Sequence, residues 1–241
     1  FGFDSAILGA RAAYIGGVSA TTLYNAAKGF KIPSASPMSH SWVQLFDDEL
    51  EAFKIYLEEH GEDGMLLVDT YDTLESGVKN AVEAFNSVLV PKGLRPAGII
   101  IDSGDMTYLS KRARRILDEA GFPDCDIYAS NSLDEMLIKD MINQGAKIDG
   151  FIVGEKLITS ESSPVLDGVY KLCETEKNGE RIPAIMVSNN VNKITTPCSK
   201  RVWRLFDMES GKAIADVLTL AGESIHNEKT YSLFDPDFTW K

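Results

Sequence analysis

The sequence has little of several features that would narrow its class at once. No apolar run approaches the roughly 20 residues that a membrane-spanning helix needs, so we expect no membrane protein. Basic residues are in the minority: 24 Lys and Arg stand against 36 Asp and Glu, which gives a formal net charge of −12. An acidic chain offers no general surface for nucleic-acid phosphates, so we expect no nucleic-acid partner.

Cysteine and histidine are also scarce. The three cysteines are scattered, and no pair has metal-ligand spacing, which predicts reduced thiols in a cytoplasmic protein. Three histidines are too few for a histidine-rich metal site. The sequence contains no dinucleotide-binding, P-loop, nucleophile-elbow or zinc-protease motif. It opens with Phe1-Gly2-Phe3-Asp4 and no signal-peptide pattern, so we expect the natural product to begin further upstream.

What the sequence does contain is an alternation of short apolar runs and amphipathic segments. The apolar runs begin near residues 65, 97, 126 and 150, and this spacing matches βα units. Helical spacing of apolar residues follows at 73–89, 106–120 and 133–143, and further strands are expected at 30–35 and 185–188. We therefore predict an α/β fold, an incomplete or open-faced parallel β/α barrel of about six strands.

Local signals predict the helix ends and the last part of the chain. Ser132 is expected to cap the helix that follows it, Gly121 and Gly145 are expected to end helices, and the arginines at 112–115 are expected to form a solvated face. Beyond residue 179 the pattern changes to short β-like pieces at 193–195 and 201–206. We expect 1–241 to form one barrel domain, in which 180–241 contains returning strands of a smaller sub-domain.

Polar residues collect where the predicted strands end. The loops after the four apolar runs begin at Asp69, Asp102, Ser130 and Gly154. In a parallel barrel the functional groups lie in these loops. Helix capping explains a single such residue, Asp72 for example, equally well. Taken together they suit a small polar ligand with hydroxyl groups, such as a sugar, because carboxylates accept hydrogen bonds.

An ordered series of motifs carries a resemblance to a known family. Two of these motifs are Ser39-His40-Ser41-Trp42-Val43 and Asp102-Ser103-Gly104-Asp105. The others span residues 11–17, 67–73, 108–110, 117–121, 129–135, 145–149 and 169–172. The series resembles the nicotinate phosphoribosyltransferase family over nearly the full chain. Each motif is weak alone, but so many in the same order indicate common ancestry, and they imply the barrel of type II phosphoribosyltransferases.

The resemblance implies an activity and its requirements. Members of the family join nicotinate to 5-phosphoribosyl 1-pyrophosphate, with ATP hydrolysis, to give nicotinate mononucleotide and pyrophosphate in NAD biosynthesis. The resemblance therefore implies Mg²⁺ and ATP, no tightly bound organic cofactor, and a homodimer with shared active sites. Family members also carry an N-terminal domain ahead of the barrel, which we expect to be absent from this chain.

The resemblance also assigns residues. On its own, a single histidine such as His40 is more often structural or exposed, but His40 matches the histidine that the family phosphorylates from ATP. Asp102 and Asp105 match the acidic loop that handles the ribose and its magnesium. We therefore predict these three residues as catalytic and the two aspartates as Mg²⁺ ligands. The predicted substrate-binding residues are Tyr14, Asp69, Asp72, Ser103, Gly104, Ser130, Gly154 and Glu155, of which Gly154 matches the start of the 5′-phosphate loop.

Departures from the family pattern concentrate at the phosphate sites. A pair of arginines that follows Phe1-Gly2 in the family is missing here. Ile100 stands where the family has arginine, which removes a bidentate anion ligand. Glu155 stands where the family has threonine, which places a carboxylate against a phosphate. Two interpretations follow: an active nicotinate phosphoribosyltransferase or a relative with an altered substrate, and a weak or inactive paralogue that serves as a binding or partner subunit. An unrelated barrel enzyme such as an aldolase would make the ordered motifs a coincidence.

Overall fold

The computed structural model describes residues 2–159, 168–186 and 194–226. The chain divides into two compact units. The first comprises Phe1–Leu172 and Ile185–Thr195, and the second comprises Cys173–Ala184 and Thr196–Lys241. Every residue of the predicted site belongs to the first unit.

A parallel four-stranded sheet forms the centre of the first unit. Its strands, in spatial order, are β1 (Met65–Leu67), β2 (Gly98–Ile101), β3 (Asp126–Ala129) and β4 (Gly150–Phe151). The register places Ile100 between Leu67 of β1 and Tyr128 of β3. All four residues of β2 are buried, as expected for an inner strand of a parallel sheet. The predicted α/β fold with a parallel sheet is confirmed.

The number of strands differs from the prediction. Among the described residues this sheet has four strands rather than about six, and β1 and β4 remain its edges. The predicted strand at 30–35 is reduced to one parallel bridge between Thr21 and Ser34. A helix runs up to Phe30, and Pro33 has no N–H to donate to a ladder. Of the predicted strand at 185–188, residues 185–186 lie in no strand, and residues 187–188 lie outside the described residues.

Eight α-helices are found in the part of the chain that the structure describes. They are α1 (Phe3–Ile15), α2 (Tyr24–Phe30), α3 (His40–Val43), α4 (Glu49–His60), α5 (Val78–Ala84), α6 (Met106–Glu119), α7 (Glu135–Asn143) and α8 (Glu155–Ile158). Wider π-helical turns at Thr73–Gly77 and Phe85–Leu89 flank α5, and 3₁₀ turns lie at Gly61–Asp63 and Val90–Lys92. None of these helices is both long and apolar enough to cross a bilayer.

The helix ends follow the sequence signals with one correction. Gly121 and Gly145 follow the ends of α6 and α7 with φ values of 85° and 75°, as predicted. The N-cap of α7 is Asp134, whose Oδ1 accepts hydrogen bonds from two backbone amides of the first turn. Ser132 is therefore not the cap, because its φ of 47° is not the extended conformation that an N-cap requires. Its hydroxyl donates instead to Glu155.

Arg114 corrects the expectation of a solvated arginine face on α6. Its guanidinium donates to the backbone oxygens of Cys125 and Phe122, each at 2.6 Å, and to the Asp118 carboxylate at 2.7 Å. The other two arginines of this helix are exposed, as predicted. Arg114 thus ties the α6–β3 loop to its own helix.

The core lies between the sheet and the helices α4, α5 and α6. Its largest fully buried side chains include Phe53, Phe85 and Phe122, and the last two rings meet edge to face at 5.4 Å. Gly77 allows the π-helical turn to approach β1, since a Cβ atom there would lie 1.8 Å from the Val68 carbonyl oxygen. This close approach fixes the loop that follows β1.

The second unit contains two antiparallel hairpins. One pairs β5 (Glu174–Lys177) with β6 (Glu180–Pro183), and the other pairs β7 (Lys200–Phe206) with β8 (Ala213–Leu220). Arg204 and Asp216 form an ion pair across the longer hairpin. The predicted β-like segment at 201–206 is confirmed. Of the one at 193–195, the first residue lies outside the described residues and the other two are in no strand.

Candidate functional site

The candidate site lies at the carboxyl ends of β1 and β2. Asp69 and Thr70 follow β1, and Asp102 and Ser103 follow β2, so the two pairs meet at one edge of the sheet. His40, the first residue of α3, contacts both pairs. These five residues are called the His40 cluster below.

Contacts with α4 hold the segment that carries His40. The Trp42 indole N–H donates to the backbone oxygen of Ala52 at 3.0 Å. The Tyr56 hydroxyl donates to the backbone oxygen of Ser36 at 2.6 Å. Trp42 also packs against the Tyr56 ring at 5.7 Å. His40 is therefore placed by packing on both sides of its position in the chain.

The two nitrogens of His40 face different partners. Nδ1 lies 3.1 Å from the hydroxyl oxygen of Thr70, a residue with no exposed surface. Nε2 lies 3.7 Å from Asp102 Oδ2, which is longer than a hydrogen bond but within reach of an ion pair when the ring is protonated. The imidazole of His40 thus contacts the Thr70 hydroxyl through Nδ1 and lies near the Asp102 carboxylate at Nε2.

Asp69 is the most buried carboxylate of the cluster, with 2% of its surface exposed. Its Oδ2 accepts hydrogen bonds from the Asp102 backbone amide at 3.1 Å and from the Ser103 hydroxyl at 2.5 Å. Its Oδ1 is buried and has no hydrogen-bond partner among the described residues. Burial raises the pKa of Asp69, while the nearby His40 and the Ser103 hydrogen bond oppose that rise.

Two predicted site residues cap helical turns. Asp72 Oδ1 accepts from the backbone amides of residues 74 and 75, and Asp105 Oδ1 accepts from the Tyr108 amide at 2.9 Å. Both side chains are exposed. Gly104, with a φ of 83°, makes the turn that separates Asp102 from Asp105. A substrate contact for Asp72, Gly104 or Asp105 stays a prediction.

The predicted residues after β3 and β4 form a second polar group along the same edge. The Ser130 amide donates to the Ile101 carbonyl oxygen at 3.0 Å, which extends the β2–β3 pairing. Gly154 is exposed, and Glu155 begins α8 with its side chain partly buried. The Ser132 hydroxyl donates to Glu155 Oε1 at 2.9 Å and so joins the two loops.

Tyr14 and a cavity beside α1 lie apart from these contacts. Tyr14 is on α1 with 41% of its surface exposed. A cavity of about 300 Å³ is lined by small residues of α1 and by Tyr128, Val153 and Gly154. Its lining includes no member of the His40 cluster. Of the predicted site residues, the structure therefore brings His40, Asp69, Asp102 and Ser103 together.

Comparisons with known proteins agree on one family. The family model described as "Nicotinate phosphoribosyltransferase C-terminal domain" matches residues 199–241. The nicotinate phosphoribosyltransferase of Bacillus subtilis is 44% identical over 98% of this chain and 48% of its own length. The nicotinate phosphoribosyltransferase pncB2 of Mycobacterium tuberculosis is 36% identical over 93% of this chain and 46% of its own. The chain belongs to the nicotinate phosphoribosyltransferase family.

A solved structure supports the fold. The crystal structure of nicotinate-nucleotide pyrophosphorylase from Pyrococcus furiosus superposes with a TM-score of 0.55 at 20% identity, covering 93% of this chain and 52% of that chain. The chain spans about half the length of the curated relatives it matches. The resemblance expected from the ordered motifs is confirmed.

Two of the predicted departures from the family pattern, Ile100 and Glu155, have different surroundings. Ile100 is 2% exposed on the inner strand β2, where it packs in the hydrophobic core. Glu155 is partly exposed at the sheet edge, and its carboxylate is held by Ser132. A charged side chain at position 100 would have to enter this core, whereas position 155 is open to a ligand. An effect of either residue on anion binding stays a prediction.

Thr70 is a functional candidate that sequence reasoning missed. It follows Asp69 at the end of an apolar strand, is fully buried, and lies against His40 Nδ1. The available signal was a hydroxyl residue beside a buried carboxylate at a strand end. That signal does not tell whether the hydroxyl faces the core or a ligand.

Proposed function

We propose that this protein acts as a nicotinate phosphoribosyltransferase: it joins nicotinate to 5-phosphoribosyl 1-pyrophosphate, with ATP hydrolysis, and forms nicotinate mononucleotide in NAD biosynthesis. The observation that carries the proposal is the pairing of His40 with Asp102 at a strand end, in a chain 44% identical to the Bacillus subtilis nicotinate phosphoribosyltransferase. A cytoplasmic location and a homodimer with shared active sites belong to the same proposal and rest on the family alone.

His40 is proposed to accept the phosphoryl group of ATP. The Thr70 hydroxyl holds the ring at Nδ1 from the buried side, which fixes the ring plane without using Nε2. The Asp102 carboxylate lies 3.7 Å from Nε2, so this nitrogen faces the loop that is proposed to serve the ribose. Nε2 is therefore the nitrogen proposed to accept the phosphoryl group.

Asp102 is proposed to serve the ribose. A ribose that loses pyrophosphate develops positive charge, and a fixed carboxylate beside it stabilises that charge. The loop that carries Asp102 is held to β1, since its backbone amide donates to Asp69 and the neighbouring Ser103 hydroxyl donates to the same oxygen. Asp69 thus positions the loop through Oδ2, and a substrate contact for Asp69 stays a prediction.

Mg²⁺ belongs to the proposal, with Asp102 and Asp105 as the residues that would hold it. Both offer carboxylate oxygens, the ligands that Mg²⁺ prefers. The helix cap of Asp105 uses Oδ1, so its Oδ2 retains acceptor capacity. A bound Mg²⁺ would neutralise negative charge on the leaving pyrophosphate.

The interpretation as an inactive partner subunit receives no support from the comparisons. The relatives described above are named as the enzyme over nearly all of this chain. Glu155 lies outside the His40 cluster, whose contacts are all in place.

The test is phosphorylation and product formation in the same protein. We expect incubation with labelled ATP to label His40, and nicotinate with 5-phosphoribosyl 1-pyrophosphate to give nicotinate mononucleotide. His40→Ala should lose the label. His60→Ala is the matched control, because His60 is exposed and stacks on Tyr56 away from the site. Absence of both label and product in the unaltered protein would contradict the proposal.

A further inference from the structure

We propose that His40, Asp69 and Asp102 form a binding site for a first-row transition-metal ion such as Zn²⁺ or Co²⁺, which competes with the use of His40 as a phosphoryl acceptor. One ligand atom from each residue lies within 4.8 Å of the other two. Metal binding stands apart from the proposed function, and only the competition rests on it.

Two of the three residues carry a buried polar atom that receives no hydrogen bond from the described residues. Asp69 is 2% exposed, and its Oδ1 receives no hydrogen bond from the described residues. His40 Nε2 is likewise buried and receives none there. Buried polar atoms in folded proteins are nearly always paired, so unpaired ones call for an explanation such as an ion. A metal ion between them would use both.

The other polar atom of each of these two side chains already has a hydrogen-bond partner. His40 Nδ1 contacts the Thr70 hydroxyl, which leaves Nε2 as the nitrogen for a ligand. Asp69 Oδ2 accepts from the Ser103 hydroxyl and the Asp102 amide, which leaves Oδ1 as the oxygen for a ligand. Metal-binding histidines and carboxylates have this kind of outer support, which orients them and sets the histidine tautomer. Hydrogen bonds from neighbouring residues therefore already orient His40 and Asp69 as ligands.

The distances suit a shared ion better than a direct hydrogen bond. His40 Nε2 and Asp102 Oδ2 are 3.7 Å apart, beyond a hydrogen bond. Donors bound tetrahedrally at about 2.1 Å from Zn²⁺ lie about 3.4 Å from one another. A small movement of the partly exposed Asp102 side chain would complete such a site, with water in the fourth position.

The donor types select the metal. One imidazole nitrogen with two carboxylates favours Zn²⁺ or Co²⁺, whereas Mg²⁺ prefers oxygen ligands alone. The site also differs from the proposed Mg²⁺ site, since it includes His40 and Asp69 and excludes Asp105. A metal ion on Nε2 occupies that nitrogen's lone pair, so phosphorylation of His40 should fall as the site fills.

Titration with Co²⁺ alone tests the site without any substrate. We expect one Co²⁺ per chain, visible as an absorption band of a nitrogen- and oxygen-bound ion and displaced by Zn²⁺. His40→Ala should weaken Co²⁺ binding at least tenfold, and Asp69→Asn should do so as well. His60→Ala and Asp105→Asn are the matched controls and should bind Co²⁺ like the unaltered protein. Circular dichroism would show that each variant is folded.

Two outcomes would overturn the site: equal Co²⁺ affinity in the unaltered protein and His40→Ala, or displacement of Co²⁺ by Mg²⁺ at a similar concentration. Competition is tested separately, by labelling His40 from ATP with and without Zn²⁺ at constant Mg²⁺. We expect labelling to fall with Zn²⁺ and to return on chelation; unchanged labelling at a filled site would refute the competition. A protein that binds Co²⁺ through His40 yet makes no product would refute only the proposed function.

Discussion

Replacing Ser103 with alanine should reveal how the buried Asp69 is held. The Ser103 hydroxyl is 2.5 Å from Asp69 Oδ2, and both residues are almost fully buried. A hydrogen bond to a charged group contributes about 1.5–3 kcal/mol to stability. The Asp102 amide continues to donate to the same oxygen. We therefore expect Ser103→Ala to lower the free energy of unfolding by about 2 kcal/mol at neutral pH.

This loss should depend on pH. Burial raises the pKa of Asp69 above its ordinary value of 3.8, and the Ser103 hydrogen bond opposes that rise, so the variant should raise the pKa further. A raised pKa in the folded state means that the folded protein binds the proton more tightly. The free energy of unfolding therefore falls as pH rises from 3.8 through the folded-state pKa. Ser103→Ala raises the folded-state pKa of Asp69 further and so extends the pH range over which the free energy of unfolding falls. The stability that the variant lacks relative to the unaltered protein is therefore largest above that pKa and smaller below it.

Urea denaturation at neutral pH and at about pH 4 would measure the effect. Ser110→Ala is the matched control: Ser110 is also buried, but its partners are the uncharged Thr107 carbonyl oxygen and Lys147 amide. The control should lose about 1 kcal/mol at both pH values. Two results would refute a charged hydrogen bond at Asp69. One is a loss of unfolding free energy in Ser103→Ala that is the same at both pH values, and the other is a loss no larger than that of Ser110→Ala.

Three further substitutions test the fold and the departures from the family. Gly77→Ala should lower the free energy of unfolding, measured in urea, by at least ~2 kcal/mol, because the new Cβ would strike the Val68 carbonyl oxygen. Gly29→Ala is the control, because a Cβ at Gly29 meets no atom within 4 Å. An equal loss of stability in both variants would contradict this packing. Ile100→Arg should lower the free energy of unfolding by at least ~3 kcal/mol, because Ile100 is buried in the hydrophobic core. The control Ile100→Val should lose about 1 kcal/mol. An arginine variant as stable as the unaltered protein would contradict the core position of residue 100. Glu155→Thr should tighten binding of 5-phosphoribosyl 1-pyrophosphate about tenfold, measured by calorimetry, because it removes a carboxylate from the expected phosphate site. Glu135→Thr, on the exposed face of α7, should leave the affinity unchanged. Unchanged affinity in Glu155→Thr would show that Glu155 does not oppose phosphate binding.

The parallel sheet was predictable because its strands are continuous apolar runs. Ile99, Ile100 and Ile101 are all buried, and such a run fits only a strand covered on both faces. The strand expected at 30–35 failed for a local reason, since α2 extends through Phe30 and Pro33 cannot donate to a ladder. Ser132 failed as a cap because its backbone lies in the left-handed region, which sequence spacing does not report.

The site was harder to predict because aspartates at strand ends look alike in a sequence. Asp69 is buried and holds the Asp102 loop, while Asp72 and Asp105 are exposed and cap helical turns. The difference depends on contacts between residues about 30 positions apart, such as His40 with Thr70. The sequence predicted His40 and Asp102 as catalytic and Asp69 and Ser103 as substrate-binding, but it did not predict Thr70 or that Asp69 and Ser103 hold the Asp102 loop.

The order of strands predicts that, under the proposed function, Glu155 affects one part of the substrate. The His40 cluster lies at the ends of β1 and β2, and Glu155 follows β4 at the same edge. Neighbouring strands are about 4.8 Å apart, so two strand spacings, roughly 10 Å, separate β2 from β4. Under the proposed function, the reacting carbon lies beside Asp102 and the resemblance places the 5′-phosphate beside Gly154. The Glu155 carboxylate should therefore weaken ground-state binding of the phosphate while leaving the charge that Asp102 supplies at the reacting carbon intact, so its replacement should change KM more than kcat.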